Sequence, residues 1–150
     1  MVKIKLAHIV FGRIIVFRFY ICYCVYMEKP KFRPYRRPSG HIEFIEYLES
    51  LPKKERAKLQ LAIKTTEEVG LQTASRLLLV KKLDTNLYEL RSRQGKTFQR
   101  GLYFHVVGSD YVITHGFSKK TNKTPQKEIN HAIDLRAEFY KNYKEEDDKQ

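Results

Sequence analysis

Three short runs of aromatic and β-branched residues constrain the fold of this chain more than any other feature. They span residues 87–93, 98–107 and 111–117, and each has the length of a strand. Turn-forming sequences separate them, Ser-Arg-Gln-Gly at 92–95 and Gly-Ser-Asp at 108–110. The pattern predicts three antiparallel strands joined in order, a β-meander.

Helical periodicity flanks the predicted meander on both sides. Apolar residues recur at helical spacing within residues 41–70, where Pro52 separates two helices and Gly70 suits the position just after a helix end. Pro125 can open a last helix with apolar residues along one side. The sequence therefore predicts an α+β fold, with an N-terminal helical hairpin packed on a small antiparallel sheet and a C-terminal helix.

The start of the predicted domain, residues 27–144, and the tail that follows it differ in composition from the middle of the domain. Residues 29–38 hold three prolines and five basic residues. Because proline cannot donate a hydrogen bond to a neighbouring strand, this stretch is expected to be an edge strand or an extended arm. Residues 145–150 are almost all charged and predict a frayed tail.

Residues 1–26 form a segment of quite different character. They are strongly apolar and carry four basic and no acidic residues. Arg13 and Arg18 interrupt the apolar stretch, and each central arginine costs about 2.5–3.5 kcal/mol on membrane insertion. We interpret the segment as an N-terminal extension upstream of a natural start at Met27. A membrane anchor is the competing interpretation.

The signatures of several enzyme classes are missing from the sequence. It contains no G-x-x-x-x-G-K-[ST] or G-x-G-x-x-G loop and no H-E-x-x-H metal motif. Cys22 and Cys24 are too close together to close a stabilising disulfide loop, and they lack nearby partners for a zinc ion. The sequence therefore predicts no metal site and no cofactor, and its cysteine usage fits the reducing cytoplasm.

The net charge of the chain is +12, with a sequence pI near 9.7. This excess is compatible with a merely solvated surface and with a surface that binds phosphates. The second interpretation is favoured because neighbouring predicted strands bring cations towards one end of the sheet. These cations are Lys81, Lys82, Arg91, Arg93, Arg100, Lys119, Lys120 and Lys123. Aromatic residues among them could stack nucleobases: Tyr88, Phe98, Tyr103 and Phe117.

Such a set of cations suits RNA cleavage without a metal ion. The 2′-hydroxyl of RNA can attack its adjacent phosphate, so an enzyme must orient the sugar, move protons and stabilise charge on the phosphoryl oxygens. Arginine and lysine serve the last task. His115, or a lysine whose pKa neighbouring cations lower, could transfer protons. A core position for His115 is an equal alternative, because strand alternation would place it with Ile113 and Phe117.

Three segments resemble motifs of one toxin family. Residues 83–91, Leu-Asp-Thr-Asn-Leu-Tyr-Glu-Leu-Arg, resemble its "kkL…lyElR" segment, and residues 100–104, Arg-Gly-Leu-Tyr-Phe, resemble its R-x-L-Y-F strand. Residues 115–125, His-Gly-Phe-Ser-Lys-Lys-Thr-Asn-Lys-Thr-Pro, resemble its "hgF-x-KKt-x-ktP" signature. By this similarity over about residues 32–143, the chain is identified as a member of the RelE/ParE superfamily of type II toxins, in its phage-derived, HigB-like (host-inhibition-of-growth) branch.

The resemblance implies a RelE-like fold and a toxin that cleaves messenger RNA on the ribosome and is neutralised by a helix-turn-helix antitoxin. It implies a catalytic set at the positions that match the family's basic motifs: Arg91, Arg100, His115, Lys119 and Lys120. The residues expected to bind RNA are Lys81, Lys82, Arg93 and Lys123. Two alternatives stay open: a ParE-like inhibitor of DNA gyrase with the same fold, and a non-catalytic basic module that binds RNA or the ribosome.

Two features depart from what the resemblance implies. Gln99 stands where many relatives have tyrosine, which removes one candidate for stacking or proton transfer. Strand alternation also places Arg100 on the same face as Leu102 and Phe104, a pattern typical of a core face. Either that face is partly open, or Arg100 projects from the end of its strand.

Overall fold

The computed structural model describes residues 29–121 and 123–147, which contain five strands and four helices. The strands are β1 (Lys31–Pro34), β2 (Val80–Asp84), β3 (Leu87–Gln94), β4 (Thr97–His105) and β5 (Asp110–Lys119). The helices are α1 (Glu43–Ser50), α2 (Lys53–Val69), α3 (Leu71–Arg76) and α4 (Gln126–Asp147). The predicted α+β class and C-terminal helix are confirmed.

The strands form one sheet in the order β1-β5-β4-β3-β2. The predicted meander is confirmed as β3, β4 and β5, which pair antiparallel. The sheet is mixed, however, and not purely antiparallel as the sequence predicts, because β1 pairs parallel to β5. Strand β1 lies at the edge and within the proline-rich residues 29–38, which confirms the prediction of an edge strand there.

Two short elements are not predicted by the sequence. Strand β2 forms the second edge of the sheet and pairs antiparallel with β3, with a register shift between Lys82 and Asp84. Its sequence, Val-Lys-Lys-Leu-Asp, is mostly charged and lacks the alternation that reveals a strand. Helix α3 follows α2 directly, and Gly70 separates the two helices with a φ of +80° that favours glycine.

Helices α1 and α2 cover one side of the sheet, here called the α1/α2 face. Phe44 of α1 and Leu59 of α2 are buried there in the largest apolar core. The ring of Tyr47 lies directly on Gly116 of β5, where any Cβ would overlap it. Helices α1 and α2 each contact the sheet more extensively than they contact one another. The region predicted as a hairpin is therefore a pair of helices held together through the sheet.

Helix α4 covers part of the opposite side, here called the α4 face. Two apolar clusters join it to the rest of the domain: Leu87, Leu102 and Ala132 in one, and Tyr35, Phe104, Val112, Leu135 and Phe139 in the other. Arg136 fixes the helix to the β2–β3 turn by donating from Nη1 to the carbonyls of Thr85 and Asn86, each at 2.7 Å. Beyond these clusters, the ends of β3, β4 and β5 carry cations on this face, together with the rings of Phe98 and Phe117.

A β-bulge in β5 decides which of its side chains face α4. Leu102 pairs with His115 but the next residue, Tyr103, pairs with Ile113, so Thr114 is an extra residue in β5. Ile113 consequently lies in the core of the α1/α2 face, whereas His115 contacts α4. The expectation that these two residues share a face is therefore wrong.

The N-terminal extension predicted over residues 1–26, with its competing interpretation as a membrane anchor, lies outside the described residues. Within residues 29–121 and 123–147, no helix combines the length and the apolar character needed to cross a membrane. Helix α4 ends at Asp147, inside the stretch 145–150 to which the sequence assigns a charged tail.

Candidate functional site

Three rows of side chains cross the strands on the α4 face. Each row holds one residue from β3, one from β4 and one from β5, because the register pairs these positions and alternate residues of a strand share a face. From α4 outwards, the rows are Glu89–Leu102–His115, Arg91–Arg100–Phe117 and Arg93–Phe98–Lys119. The sheet thus places Arg91 beside Arg100 and brings Lys119 into the next row.

Arg100 is buried in the middle row, with only 1% of its surface exposed. Its Nη1 donates to the carbonyls of Gln99 at 3.2 Å and Ser92 at 3.4 Å. Its Nε lies 3.6 Å from Glu89 Oε2, close enough for attraction but too far for a hydrogen bond. Among the described residues, Nε and Nη2 have no hydrogen-bond partner. Unpaired donors of this kind cost about 1–3 kcal/mol each unless a bound group satisfies them.

Electrostatics at Arg100 favour an anion. Burial lowers the pKa of Arg100, the Glu89 carboxylate opposes this shift, and the positive charge of Arg91 adds to it. An arginine nevertheless stays protonated in proteins. The guanidinium groups of Arg91 and Arg100 share the single carboxylate of Glu89. A bound anion would reduce the repulsion that remains between these two groups.

Glu89 is a carboxylate buried among these cations, with 1% of its surface exposed. Its Oε1 lies 3.4 Å from Arg91 Nε and its Oε2 lies 3.6 Å from Arg100 Nε. Oε2 also accepts a hydrogen bond from Thr124 Oγ1 at 2.6 Å. Thr124 belongs to the loop before α4 and is itself buried. A buried carboxylate is tolerated only when it is paired in this way.

Lys119 is the last residue of β5 and is 9% exposed. Its Nζ donates to Thr124 Oγ1 at 3.1 Å and lies 5.9 Å from the centre of the Phe117 ring. Burial lowers the pKa of Lys119, and the Glu89 carboxylate opposes the shift. Three cations lower this pKa further: Arg100, Arg91 and Lys81. We call the group Glu89, Arg91, Arg100, Lys119 and Thr124 the charged cluster.

Arg93 and Phe98 form a more open rim beside the charged cluster. Arg93 is exposed and Phe98 is half-buried. The guanidinium carbon of Arg93 lies 4.9 Å from the centre of the Phe98 ring, and that of Arg100 lies 5.1 Å from it. Arg93 Nε donates to the carbonyl of Gly95 at 2.9 Å, which holds the guanidinium at the end of the sheet. A ring and a guanidinium plane in this position can stack a nucleobase.

The sequence matches the model of one known protein family. The family model described as phage derived protein Gp49-like (DUF891) matches residues 46–137, more than half of the chain and all of the charged cluster. The chain belongs to this Gp49-like family. Gp49-like proteins are RelE/HigB-like toxins associated with toxin–antitoxin systems, so family membership implies an antitoxin partner. Among the curated proteins, none matches the chain.

In this Gp49-like protein, Lys81 and Lys82 lie on opposite sides of β2. Lys81 pairs with Glu89 and faces the charged cluster, whereas Lys82 pairs with Tyr88 on the α1/α2 face. Tyr88 stacks on Tyr103 with their ring centres 5.3 Å apart, in the core of that face. The expectation that both tyrosines lie among the cations is therefore wrong, and Lys82 also lies away from the charged cluster.

The loop between β5 and α4 carries the remaining basic residues of the predicted site. Lys120 and Lys123 are both exposed. In the sequence, Lys120 directly follows Lys119, and Lys123 directly precedes Thr124. Their exposure suits contact with a polyanion better than it suits a preorganised catalytic position.

His115 lies apart from the charged cluster of this Gp49-like protein. It is buried, and its Nε2 donates to Glu128 Oε2 at 3.1 Å. The Phe117 ring stands between it and Lys119: the His115 and Phe117 ring centres are 6.1 Å apart, and Lys119 Nζ lies 5.9 Å from the same ring. The nearest ring of α4 is that of His131, at 4.7 Å. The predicted catalytic residues are thus divided between two places.

His115 lines an open cleft of about 350 Å³ with residues of α1 and α4, among them Glu43, Glu128 and His131. His131 Nε2 donates to Glu43 Oε2 at 2.6 Å. Burial lowers the pKa of His115 and the neighbouring His131 adds to the shift, while Glu128 and Glu43 oppose it. Across the part of the chain that the structure describes, no group of His, Cys, Asp and Glu side chains is arranged to hold a metal ion.

Gln99 points away from the charged cluster. It is fully buried on the α1/α2 face, where its Nε2 donates to Glu55 Oε2 at 2.9 Å and its Oε1 accepts from Ser92 Oγ at 3.2 Å. A tyrosine at this position would also face α2. The departure at Gln99 therefore removes no candidate from the charged cluster.

Two residues of the charged cluster, Glu89 and Thr124, are not predicted from the sequence. Glu89 is two residues before Arg91 on one strand, so alternation alone places both on one face and could have identified it. No local pattern indicates Thr124, because only the folded chain returns it to Glu89. For Arg100 the expected alternation holds, because it shares the α4 face with Leu102. It lies one row further from α4, just outside the apolar cluster that contains Leu102.

Proposed function

We propose that this protein is a HigB-like toxin that cleaves messenger RNA on the ribosome without a metal ion. The observation that carries the proposal is the buried guanidinium of Arg100, whose Nε and Nη2 have no hydrogen-bond partner within the described residues. Arg91 and Lys119 lie beside it. Donors preorganised in a poorly solvated position suit the nonbridging oxygens of a phosphate whose charge increases during the reaction.

The proposed reaction uses the RNA itself as nucleophile. The 2′-oxygen forms a bond to the adjacent phosphorus and gives its proton to water, and the bond from phosphorus to the 5′-oxygen breaks. Arg100 and Arg91 stabilise the negative charge on the phosphoryl oxygens. The ammonium of Lys119 donates a proton to the departing 5′-oxygen. The products are a 2′,3′-cyclic phosphate and a free 5′-hydroxyl.

The lowered pKa of Lys119 supports its role as the proton donor. A general acid is most effective when its pKa lies near the working pH, and an ordinary lysine is too weak an acid for this. Burial and the neighbouring cations shift the pKa of Lys119 in the required direction. His115 stays the alternative proton-transfer residue, but it would require the substrate to reach the cleft on the other side of Phe117.

Access to Arg100 requires a local rearrangement. Only 1% of this residue is exposed, and its guanidinium lies over the ring of Phe98. The guanidinium of Arg93 lies over the same ring. Arg93 is exposed, so a nucleobase can displace it or stack on it. A phosphate then reaches Nη2 of Arg100 once the Phe98 ring moves. The exposed Lys81, Lys120 and Lys123 would hold the flanking backbone.

The proposal is tested by inducing the protein in bacteria and mapping the 5′ ends of cellular RNA. We expect growth arrest with new 5′ ends inside translated messages, and rescue by a co-expressed helix-turn-helix antitoxin. Residues 27–150 should act like the full chain, because the segments that resemble the toxin family all follow Met27. The Arg100→Lys and Lys119→Ala variants, produced at equal level, serve as matched controls.

Three results would contradict the proposal. Growth arrest with loss of DNA supercoiling and intact messages would indicate an inhibitor of DNA gyrase. Ribosome binding without new RNA ends would indicate a non-catalytic module. Normal growth despite verified soluble protein would argue against any toxin activity.

A further inference from the structure

The carboxylate of Glu89 contacts more side chains than the single cation that would neutralise its charge. Its carboxylate is 1% exposed and lies 3.4 Å from Arg91 Nε and 3.6 Å from Arg100 Nε. Neither guanidinium makes a hydrogen bond of ordinary length with it. The short contact of this carboxylate, at 2.6 Å, is instead with the hydroxyl of Thr124. The strongest hydrogen bond of Glu89 is therefore directed towards the loop that precedes α4.

Thr124 joins Glu89 to Lys119. Its hydroxyl donates to Glu89 Oε2 and accepts from Lys119 Nζ at 3.1 Å. A hydroxyl has one proton, and here that proton is directed to the carboxylate. The lone pairs of Thr124 Oγ1 consequently face the ammonium. The three side chains form a directed chain from Lys119 through Thr124 to Glu89, in which all members are at least nine-tenths buried.

This chain restrains a side chain that is intrinsically flexible. Lysine has a flexible four-carbon stem, and its ammonium can rotate among many positions. A hydrogen bond to a hydroxyl that is itself fixed selects one of them. Because Thr124 lies directly before Pro125 and α4, its position depends on the docking of that helix. Misplacing a reacting group by about 1 Å can lower a rate by up to about 10²-fold.

We propose that Glu89 and Thr124 are positioning residues for Lys119: the carboxylate fixes the hydroxyl, and the hydroxyl fixes the ammonium beside Arg100. This inference rests on the proposed function, in which Lys119 is the proton donor. It assigns no contact between Glu89 and the substrate. The carboxylate also favours the protonated state of Lys119, in opposition to burial and the neighbouring arginines.

Three substitutions test the chain in the full-length protein. Thr124→Val removes the hydroxyl and keeps the shape, Thr124→Ser keeps the hydroxyl, and Glu89→Gln removes the charge. Cleavage of messenger RNA is measured on programmed ribosomes at saturating protein, with ribosome affinity measured separately. We expect Thr124→Val to lower the cleavage rate by about 10–10²-fold at unchanged affinity, and Thr124→Ser to recover most of it.

Glu89→Gln should change the pH dependence of cleavage as well. Activity of a protonated donor falls as the pH rises through its pKa, and without the carboxylate this fall should move to lower pH. Glu138→Gln is the matched control, since Glu138 also fixes α4 through a carboxylate, by an ion pair with Arg37 at 2.6 Å away from the charged cluster. We expect Glu138→Gln to leave the pH profile where it is.

Several outcomes would overturn the inference. These are a wild-type rate in Thr124→Val, a superimposable pH profile in Glu89→Gln, or an equal shift in Glu138→Gln, which would indicate a loosened α4. Absence of cleavage by the wild-type protein would instead contradict the proposed function. The inference is then still tested by nuclear magnetic resonance of the Lys119 side chain, where an unchanged titration in Glu89→Gln would refute it.

Discussion

The two faces of the sheet hold their helices by different interactions. On the α1/α2 face, Phe44, Leu59 and Ile113 are buried in a continuous apolar core, and a glycine lets the Tyr47 ring approach the backbone. Burial of this kind contributes about 25 cal/mol per Å² of apolar surface and depends little on pH or salt. The largest apolar core among the described residues lies on this face.

On the α4 face, polar and ionic contacts supplement the apolar clusters. The contacts between α4 or its preceding loop and the rest of the domain include His115–Glu128, His131–Glu43, Arg37–Glu138 and Thr124–Glu89. Such contacts titrate and weaken with salt. The charged cluster lies on this face, so the groups proposed for chemistry are separated from the main core by the thickness of the sheet.

The largest effect is expected on the α1/α2 face. Phe44→Ala should lower the free energy of unfolding by about 3–5 kcal/mol, as large-to-small changes in a core do. The remaining folded protein should cleave RNA at the wild-type rate, because Phe44 is across the sheet from the charged cluster. Urea denaturation and single-turnover cleavage measure the two quantities. A large loss of rate in fully folded protein would contradict the separation of the faces.

The converse effect is expected for Lys119→Ala. Its cleavage rate at saturation should fall by about 10²–10³-fold, equivalent to about 3–4 kcal/mol of transition-state stabilisation. The free energy of unfolding should fall by less than in Phe44→Ala, by about 1–3 kcal/mol, because the buried Thr124 loses the ammonium that donates to it. Lys64→Ala, at an exposed position on α2, is the matched control and should keep both quantities. If Lys119→Ala weakened ribosome binding but left the cleavage rate at saturation unchanged, Lys119 would be a docking residue only.

A third prediction concerns the pH dependence of stability. Burial and His131 hold the pKa of His115 below its usual value of about 6.5, so the folded state binds fewer protons than the unfolded state. The stability from this group is present above pH 6.5 and is lost as the pH falls towards the lowered pKa. Glu128 and Glu43 act in the opposite direction, and their net effect is smaller.

His115→Gln should therefore weaken the loss of stability between neutral and mildly acidic pH, as measured by thermal unfolding. It should also cost about 1–3 kcal/mol at neutral pH, because Glu128 loses its partner. We expect residual cleavage. A fall in rate of about 10²–10⁴-fold with unchanged stability would instead assign proton transfer to His115.

The smallest effect is expected at the rim. Arg93→Ala should weaken ribosome or RNA binding by about 1 kcal/mol and reduce the salt dependence of binding by about one phosphate contact. Cleavage at saturation should stay close to the wild-type rate. Titration of binding over a range of salt concentrations measures the slope, and an unchanged slope would show that Arg93 contacts no phosphate.

The sequence predicts the fold well where patterns are local. The meander and the last helix follow from runs of suitable residues and from turn and proline signals. Strand β2 and helix α3 are missed because they are short and mostly polar, and their structure depends on neighbouring elements. The parallel pairing of β1 is missed because no local signal reports a partner that is distant in sequence.

The candidate site is predicted less completely, for a related reason. Alternation on β3 and β4 places Arg91 and Arg100 together, but the extra residue Thr114 changes the side to which His115 points relative to Ile113. A bulge of one residue leaves little trace in a sequence. The link through Thr124 depends on how the loop returns, which strand patterns do not encode.

The pairing of β1 has a consequence for how the molecule forms. The side chains of Arg33 and Asp110 bond across 77 positions of sequence, whereas Glu89 and Thr124 are 35 positions apart and joined by a meander of short turns. Contacts between near neighbours in sequence form faster, because closing a short loop costs less entropy. Among the described strands, β1 comes first in the sequence, and its partner β5 comes last. We therefore expect β1 to join the sheet after β5 has formed.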